Sequence, residues 1–297
     1  MKDKVKYKTR ILVNYRGVVI KVKFNKMQGA GNDFLLFDGV NNKYKNYSEM
    51  AKKLCDRRFG VGGDGIMIAE PSYVADIQMV YYNSDGTRGE MCGNGIRCFS
   101  KYVYDEGLLN KNPLLIETGD GIKEAKLKIK DGSVIEVEIY MGEPSLDPKK
   151  IPVALEKKEV INEEVDILGE KIIFSSVLVG VPHIVVICED LENTDVNGLG
   201  YELEKHGLFP KKMNVNFIEV LDKKNIKIKT WERGAGRTLA CGTGSCASVF
   251  LANKLELVEN KVNVKTEGGN LKIELKKDGI YMTGEAKTTF KGEVIWE

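Results

Sequence analysis

The sequence lacks the features of a membrane protein, an exported protein or a binder of polyanions. Its longest apolar stretch, residues 174–188, is interrupted by Gly180, Pro182 and His183 and is too short to cross a bilayer. No apolar export segment opens the chain. The 45 basic residues are balanced by 43 acidic ones, which leaves a net charge of +2 and predicts no nucleic-acid-binding surface. We therefore expect a cytoplasmic protein with neither a nucleic-acid nor a membrane partner.

Cysteine is also scarce, with six in 297 residues. Without a secretory segment these thiols are expected to stay reduced and to serve packing, metal binding or catalysis. A zinc site is disfavoured because the gaps of six and five residues within the pairs Cys92/Cys98 and Cys241/Cys246 do not match the usual short pairings. No P-loop signature is present, which argues against a phosphate-cradling loop. We interpret four cysteines as core residues: Cys55, Cys98, Cys188 and Cys246.

What is present is a repeated cysteine motif. Two tetrapeptides have the same form, and each precedes an apolar-periodic segment: Cys92-Gly93-Asn94-Gly95 and Cys241-Gly242-Thr243-Gly244. This arrangement predicts a helix after each cysteine, the first of them over residues 94–105. A helix start presents unpaired N–H groups and the positive end of its dipole. It therefore binds anions and is expected to lower the pKa of both cysteines.

The repeat predicts a two-base reaction. If the two copies face each other across a cleft, one sulfur lies on each side of a bound molecule. A carboxylate held between the two helix starts would be stabilised as the adjacent carbon loses its proton. One thiolate removes the α-proton, and the opposite thiol returns a proton to the other face. This is the chemistry of a cofactor-free racemase or epimerase.

The repeat extends beyond the cysteines. Matching segments occur in the same order in both halves: residues 27–31 with 178–182, and residues 114–141 with 262–282. Two such halves predict a pseudo-two-fold molecule with its site in the groove between them. Residues 1–21 are basic and are interpreted as an extension before the fold, with Val22 as a candidate natural start.

Local patterns predict individual elements. Residues 34–37 and 77–82 are strand candidates, and residues 60–65 are a loop. Ser48 is predicted to cap a helix that runs to about Arg58. The buried face of that helix is predicted to carry Met50, Ala51 and Leu54.

Several motifs in order resemble those of the diaminopimelate epimerase family. They are the two cysteine motifs together with Gly31-Asn32-Asp33-Phe34, Asn83-Ser84-Asp85-Gly86 and Glu232-Arg233-Gly234-Ala235-Gly236. The resemblance implies an α/β (α+β) fold of two similar domains, residues 22–140 with 285–297 and residues 141–284. Each would be a barrel-like, mostly antiparallel sheet around a central helix. The resemblance also implies a homodimer that interconverts LL- and meso-diaminopimelate for lysine and peptidoglycan biosynthesis, without pyridoxal phosphate, any other cofactor or a metal.

The resemblance also assigns roles to individual residues. It implies that Cys92 and Cys241 are the acid/base thiols, and that His183 and Glu232 are auxiliary proton-transfer residues. The backbone donors for the reacting α-carboxylate would be those of Gly93, Asn94, Gly242 and Thr243. The substrate pocket would be lined by Asn32, Asn83, Asn214, Glu232 and Arg233. Among these, Arg233 would pair with the distal carboxylate through its forked donors.

Three positions depart from the family pattern. Val181 stands where the family often has asparagine. Gly65 stands where many members have glutamine, and Arg237 stands where many have glutamate. An apolar side chain at residue 181 removes a hydrogen-bonding group from the distal end of the substrate. Two alternatives therefore stay open: a racemase of another amino acid, and a non-catalytic amino-acid-binding or zinc-binding protein.

Overall fold

The computed structural model describes residues 11–14 and 17–296. Of the expected extension, residues 1–10, 15 and 16 lie outside this description. The rest of it is strand, since residues 11–14 form one strand and residues 17–21 open the next. The described chain divides into two units. One runs up to Val137 and resumes at Glu285, and the other is Glu138–Gly284.

The first unit consists of a mostly antiparallel sheet and two helices. Its elements in chain order are β1 (Ile11–Asn14), β2 (Gly17–Gly29), β3 (Asn32–Asp38), α1 (Tyr47–Leu54), β4 (Gly65–Glu70), β5 (Ile77–Asn83), β6 (Arg88–Gly89), α2 (Gly93–Asp105), β7 (Leu114–Thr118), β8 (Gly121–Lys130) and β9 (Ser133–Gly142), which runs on into the second unit. The pairs β3/β4 and β5/β7 are parallel, whereas β2/β3, β4/β5, β5/β6 and β7/β8 are antiparallel.

The second unit has the same order of elements. They are β10 (Glu163–Ile167), β11 (Glu170–Val179), β12 (Val181–Ile187), α3 (Val196–Lys205), β13 (Asn214–Asp222), β14 (Asn225–Glu232), β15 (Gly236–Thr238), α4 (Gly242–Lys254), β16 (Lys261–Thr266), β17 (Gly269–Lys276) and β18 (Gly279–Gly284). Here the parallel pairs are β12/β13 and β14/β16, at the same places in the order. The expected two similar α+β halves are confirmed.

The chain then returns to the first unit. The last strand, β19 (Lys287–Trp296), pairs antiparallel with β2. The final strand therefore belongs to the sheet of the first unit.

A helix packs inside the sheet of each unit. Helix α2 contacts β2, β3, β4 and β8, and α4 contacts β11, β12, β13, β17 and β18. The apolar residues that recur at helical spacing in α2 are all buried: Ile96, Phe99, Tyr102 and Val103. Small residues such as Ala247 and Ser248 let α4 lie among its strands with nine of its thirteen residues buried. Because each helix is packed against the strands of its own unit, its first turn and the cysteine before it lie close to those strands.

The first helix differs from the prediction at both ends. Asn46 precedes α1, and Ser48 lies inside it with its hydroxyl donating to the carbonyl of Gly86 at 2.7 Å. The helix stops at Leu54 rather than near Arg58, because the Asp56 carboxylate accepts the next N–H groups in a local turn. The predicted buried face is correct. The predicted loop is one residue too long, since β4 already begins at Gly65.

Candidate active site

Cys92 is the N-cap of α2. Its backbone is extended, with φ −135° and ψ 118°, and its Sγ accepts the N–H of Gly95 at 3.4 Å. The turn between β2 and β3 lies against this helix start, since a Cβ added at Gly29 would be 2.9 Å from the carbonyl oxygen of Asn94. That close approach brings the Asn32 side chain to the sulfur, and the Cys92 thiol donates to Asn32 Oδ1 at 3.5 Å.

The orientation of the Asn32 amide follows from its other partner. Its Nδ2 donates to the Asp64 carboxylate, which can only accept, so the amide oxygen must face Cys92. Asp64 is itself held by the Asp33 N–H at 3.0 Å and by Arg57 at 2.8 Å. Asp64 is not among the residues predicted from the sequence. Its only local signal is a lone carboxylate at the end of a glycine-rich loop.

Asp33, next to Asn32, is the centre of an ion-pair network. Its carboxylate forms ion pairs with the Arg57 guanidinium at 2.7 Å and with Lys26 Nζ at 2.6 Å. Burial acts to raise the pKa of Asp33, but the hydrogen bonds and charges of Arg57 and Lys26 outweigh it and lower the pKa to about 2. This network anchors the start of β3, and with it the amide beside Cys92.

Cys241 is the N-cap of α4 in the second unit. Its Sγ accepts the N–H of Gly244 at 3.4 Å and lies 3.4 Å from the Thr243 hydroxyl. The predicted lowering of its pKa is wrong. Burial, with only 7% of the residue exposed, and then the negative charge of Glu232 raise the pKa well above that of an ordinary thiol. The helix N–H acts in the predicted direction but is the weaker effect, so Cys241 is a thiol at neutral pH.

A buried polar chain lies beneath the first turn of α4. Asn216 Nδ2 donates to the carbonyl of Ile184 at 2.9 Å and lies 3.2 Å from His183 Nδ1, while Asn216 Oδ1 accepts the hydroxyl of Thr230 at 3.1 Å. Since the carbonyl only accepts, the amide NH₂ faces His183, whose Nδ1 must accept. The ring proton is then on Nε2, which is buried and has no hydrogen-bond partner within residues 11–14 and 17–296.

His183 is consequently a neutral donor rather than a base. It is fully buried, and burial followed by the positive charge of Arg233 lowers its pKa to about 3. Asn216 is not among the residues predicted from the sequence. The signal that could have revealed it is its position two residues after Asn214, on the same face of β13.

The hairpin of β14 and β15 carries two more of the predicted residues, Glu232 at the end of β14 and Arg233 in the turn. Glu232 accepts the hydroxyl of Thr238 at 2.6 Å, and its charge acts on Cys241. Asn214 accepts the backbone N–H of Arg233 at 3.0 Å and donates to the carbonyl of Pro182 at 2.9 Å. The Arg233 side chain is exposed and donates to the carbonyl of Lys211 at 3.2 Å.

The remaining predicted residues occupy helix starts and one turn. Asn83 accepts the hydroxyl of Tyr81 at 2.5 Å and donates to Thr87 at 3.0 Å. Gly93 and Gly242 are the first residues of α2 and α4, followed by Asn94 and Thr243. Of the predicted residues, Asn32 accepts the thiol of Cys92, the Thr243 hydroxyl lies beside Cys241, and the charge of Glu232 acts on Cys241.

The other four cysteines belong to the core or its edge. Burial raises the pKa of Cys55 and of Cys98 to about 12, and it raises that of Cys188. Cys246 is fully buried in α4.

No cluster of three or more potential metal ligands occurs in the described part of the chain. Nor does that part contain a helix long and apolar enough to span a bilayer.

Comparison with known proteins decides the family. The sequence model of the family described as diaminopimelate epimerase matches residues 24–146 and 175–289. The chain belongs to the diaminopimelate epimerase family. The diaminopimelate epimerase of Alkaliphilus metalliredigens (strain QYMF) is 47% identical over 275 residues, which cover 92% of this chain and 97% of that relative. The diaminopimelate epimerase of Methanococcus maripaludis (strain C5) is 44% identical over 92% of this chain and 99% of its own length. As a member of the diaminopimelate epimerase family, the protein is an isomerase.

Solved structures of more distant proteins share the fold. A hydroxyproline epimerase from Agrobacterium vitis aligns with a TM-score of 0.68 at 15% identity, over 93% of this chain and 92% of that one. A phenazine biosynthesis protein of the PhzF family from Bacillus anthracis aligns with a TM-score of 0.65 at 17% identity, over 93% and 99% of the two chains. At these identities the likeness shows that the diaminopimelate epimerase family has the same fold as these proteins.

Proposed function

We propose that this protein interconverts LL- and meso-2,6-diaminopimelate in the cytoplasm, for lysine and peptidoglycan biosynthesis, and that it does so as a homodimer without a cofactor. The observation that carries the proposal is the repeated setting of Cys92 and Cys241. Each is the N-cap of a central helix and accepts a backbone N–H from the third residue of that helix. The relatives that bear the name diaminopimelate epimerase support the choice of substrate.

In the proposed reaction, which takes 22–140 with 285–297 and 141–284 as the two domains, the substrate α-carbon lies between the two sulfurs. The N-terminal N–H groups of α2 and α4, around Gly93, Asn94, Gly242 and Thr243, bind the α-carboxylate. They stabilise the charge that develops as the C–H bond breaks. One thiolate takes the α-proton, the electron pair remains on the α-carbon and its carboxylate, and the opposite thiol supplies a proton to the other face. The configuration inverts with no net change in protonation of the enzyme.

In the direction in which Cys241 removes the α-proton, the second unit must make a thiolate from a buried thiol. Cys241 has a raised pKa, and the neighbouring Glu232 carboxylate is the base that receives its proton. Removing that negative charge by protonation also favours the thiolate, because the charge of Glu232 is one cause of the raised pKa. His183 supports this site as a neutral ring that helps to hold Asn216 beneath the first turn of α4.

The distal carboxylate of the substrate is assigned to Arg233 in the second unit. The exposed Arg233 guanidinium pairs with the distal carboxylate. Asn32, Asn83 and Asn214 complete the pocket. Val181 is 37% exposed at the start of β12 and offers no hydrogen bond to the substrate. That observation favours the second candidate, a racemase of another amino acid without a distal carboxylate.

Incubation of the protein with LL-diaminopimelate in deuterated water tests the proposal. We expect the meso isomer to form with deuterium at the inverted α-carbon, and we expect Cys92→Ala and Cys241→Ala each to abolish inversion. Exchange with another amino acid, but not with diaminopimelate, would establish the second candidate. Unchanged turnover in either cysteine variant would refute the two-base mechanism.

A further inference from the structure

Glu204 is a carboxylate in a place where packing favours a hydrophobic residue. The buried residues of α3 are Val196, Gly200, Leu203 and Glu204, which follow the apolar stripe of an amphipathic helix. Only 4% of Glu204 is exposed. Burying a charge is costly unless hydrogen bonds and an opposite charge compensate for it. An apolar side chain would fill the stripe without that cost, so the carboxylate points to a role other than packing.

The partners of Glu204 identify that role. Its Oε2 accepts the indole N–H of Trp231 at 2.8 Å, and its Oε1 accepts the backbone N–H of Gly234 at 3.3 Å. Lys212 Nζ lies 3.7 Å from Oε1, and that lysine side chain is 53% exposed. Trp231 and Gly234 flank Glu232 and Arg233. The carboxylate therefore holds both ends of the segment that contains those two residues.

The held segment is one that needs anchoring. It is a hairpin loop in which Gly234 and Gly236 have φ values of 77° and 78°, a conformation that favours glycine. Asn214 accepts the N–H of Arg233, and Glu204 accepts the N–H of Gly234. Two consecutive peptide groups are thus fixed by side chains of the core, one on each side of the Arg233 α-carbon, while the guanidinium stays exposed to meet a ligand.

We propose that Glu204 is a positioning residue that, together with Asn214, fixes the main chain around Arg233 and so sets where the guanidinium meets the distal carboxylate of the substrate. The inference rests on the proposed function, because it requires a substrate with a second carboxylate. Glu204 touches neither the substrate nor the reacting atoms. Its contribution is to substrate binding, which is common to the ground state and the transition state.

The test compares kcat and KM of Glu204→Gln with those of Glu202→Gln, a matched change on the same helix at a position that is not buried. The glutamine amide keeps one acceptor, so one of the two donors loses its partner. We expect the KM for diaminopimelate to rise about tenfold in Glu204→Gln while kcat changes less than about threefold. The Glu202→Gln variant should match the wild-type protein. In an Arg233→Met background, Glu204→Gln should change KM less than about twofold, because its effect passes through that arginine.

Two outcomes would overturn the inference. One is an unchanged KM in folded Glu204→Gln, and another is an equal rise in the Arg233→Met background. If Glu204→Gln does not fold, Glu204→Asp withdraws the carboxylate from Gly234 by one methylene and should raise KM in the same way. A wild-type protein inactive on diaminopimelate would instead refute the proposed function itself.

Discussion

Gly244→Ala should destabilise the second unit because the new methyl group has no room. A Cβ at this position would lie 2.2 Å from Asn216 Oδ1 and 3.2 Å from its Cγ. Asn216 is fully buried and is held by a backbone carbonyl, a histidine and a threonine. The side chain must therefore move by about 1 Å in an interior that is already close-packed.

That displacement breaks the polar chain beneath α4. The Asn216 contacts of 2.9, 3.1 and 3.2 Å would lengthen beyond hydrogen-bonding range. A buried polar group left unpaired costs about 1–3 kcal/mol, while alanine in place of glycine returns about 1 kcal/mol of helix propensity. The free energy of unfolding should fall by about 2 kcal/mol, and the Tm of this unit by roughly 5 °C.

The first unit supplies a matched control at the equivalent glycine. In Gly95→Ala the new Cβ would lie 1.9 Å from Met67 Cε, the mobile end of an unbranched side chain that can turn aside. We expect a loss of less than about 1 kcal/mol. Calorimetric melting of both variants tests the argument, with iodoacetamide labelling of Cys241 to show whether the helix start has moved. A Gly244→Ala protein that melts like the wild type, or a Gly95→Ala protein that is equally destabilised, would refute it.

Three further predictions follow from single side chains. Val181→Asn should lower the KM for diaminopimelate about fivefold by adding a hydrogen bond worth about 1 kcal/mol; an unchanged KM in steady-state assays would contradict this. Glu232→Gln removes a charge that raises the pKa of Cys241, so iodoacetamide labelling of that thiol should become half-maximal at lower pH; a shift to higher pH would count against it. The pKa of His183 is lowered to about 3, so the unfolded state binds the extra proton and stability falls as pH drops from 6.5 towards 3, by about 1.4 kcal/mol per pH unit. Denaturant unfolding between pH 4 and 6 should show a flatter pH dependence for His183→Gln, and an equal slope would exclude this role.

The sequence was most informative where the signal is local. The spacing of Ile96, Phe99, Tyr102 and Val103 is enough to place α2, because one helical face fixes all four. The capping position of Cys92 follows from the glycines after it. The matching order of the two halves could likewise be predicted, since the motifs repeat along the chain.

Properties that depend on distant neighbours could not be predicted in this way. The helix start at Cys241 suggests a lowered pKa, but burial within the second unit and the charge of Glu232 reverse the sign. Ser48 looks like a helix cap until Gly86 provides a partner for its hydroxyl. From the sequence alone, Glu204 cannot be told from a surface glutamate. Its hydrogen bonds with Trp231 and Gly234 show that it is a buried carboxylate.

The pairing of β19 with β2 has a consequence for biosynthesis of the chain. The second unit is one continuous stretch, so all of its strands are synthesised before the final strand of the first unit. Until then the nascent first unit exposes the Phe24–Asn25 stretch of β2 as an unpaired edge, open to strands of other chains. Truncation of the last ten residues should therefore cause aggregation during expression, even though every residue of the cysteine motifs would remain in place.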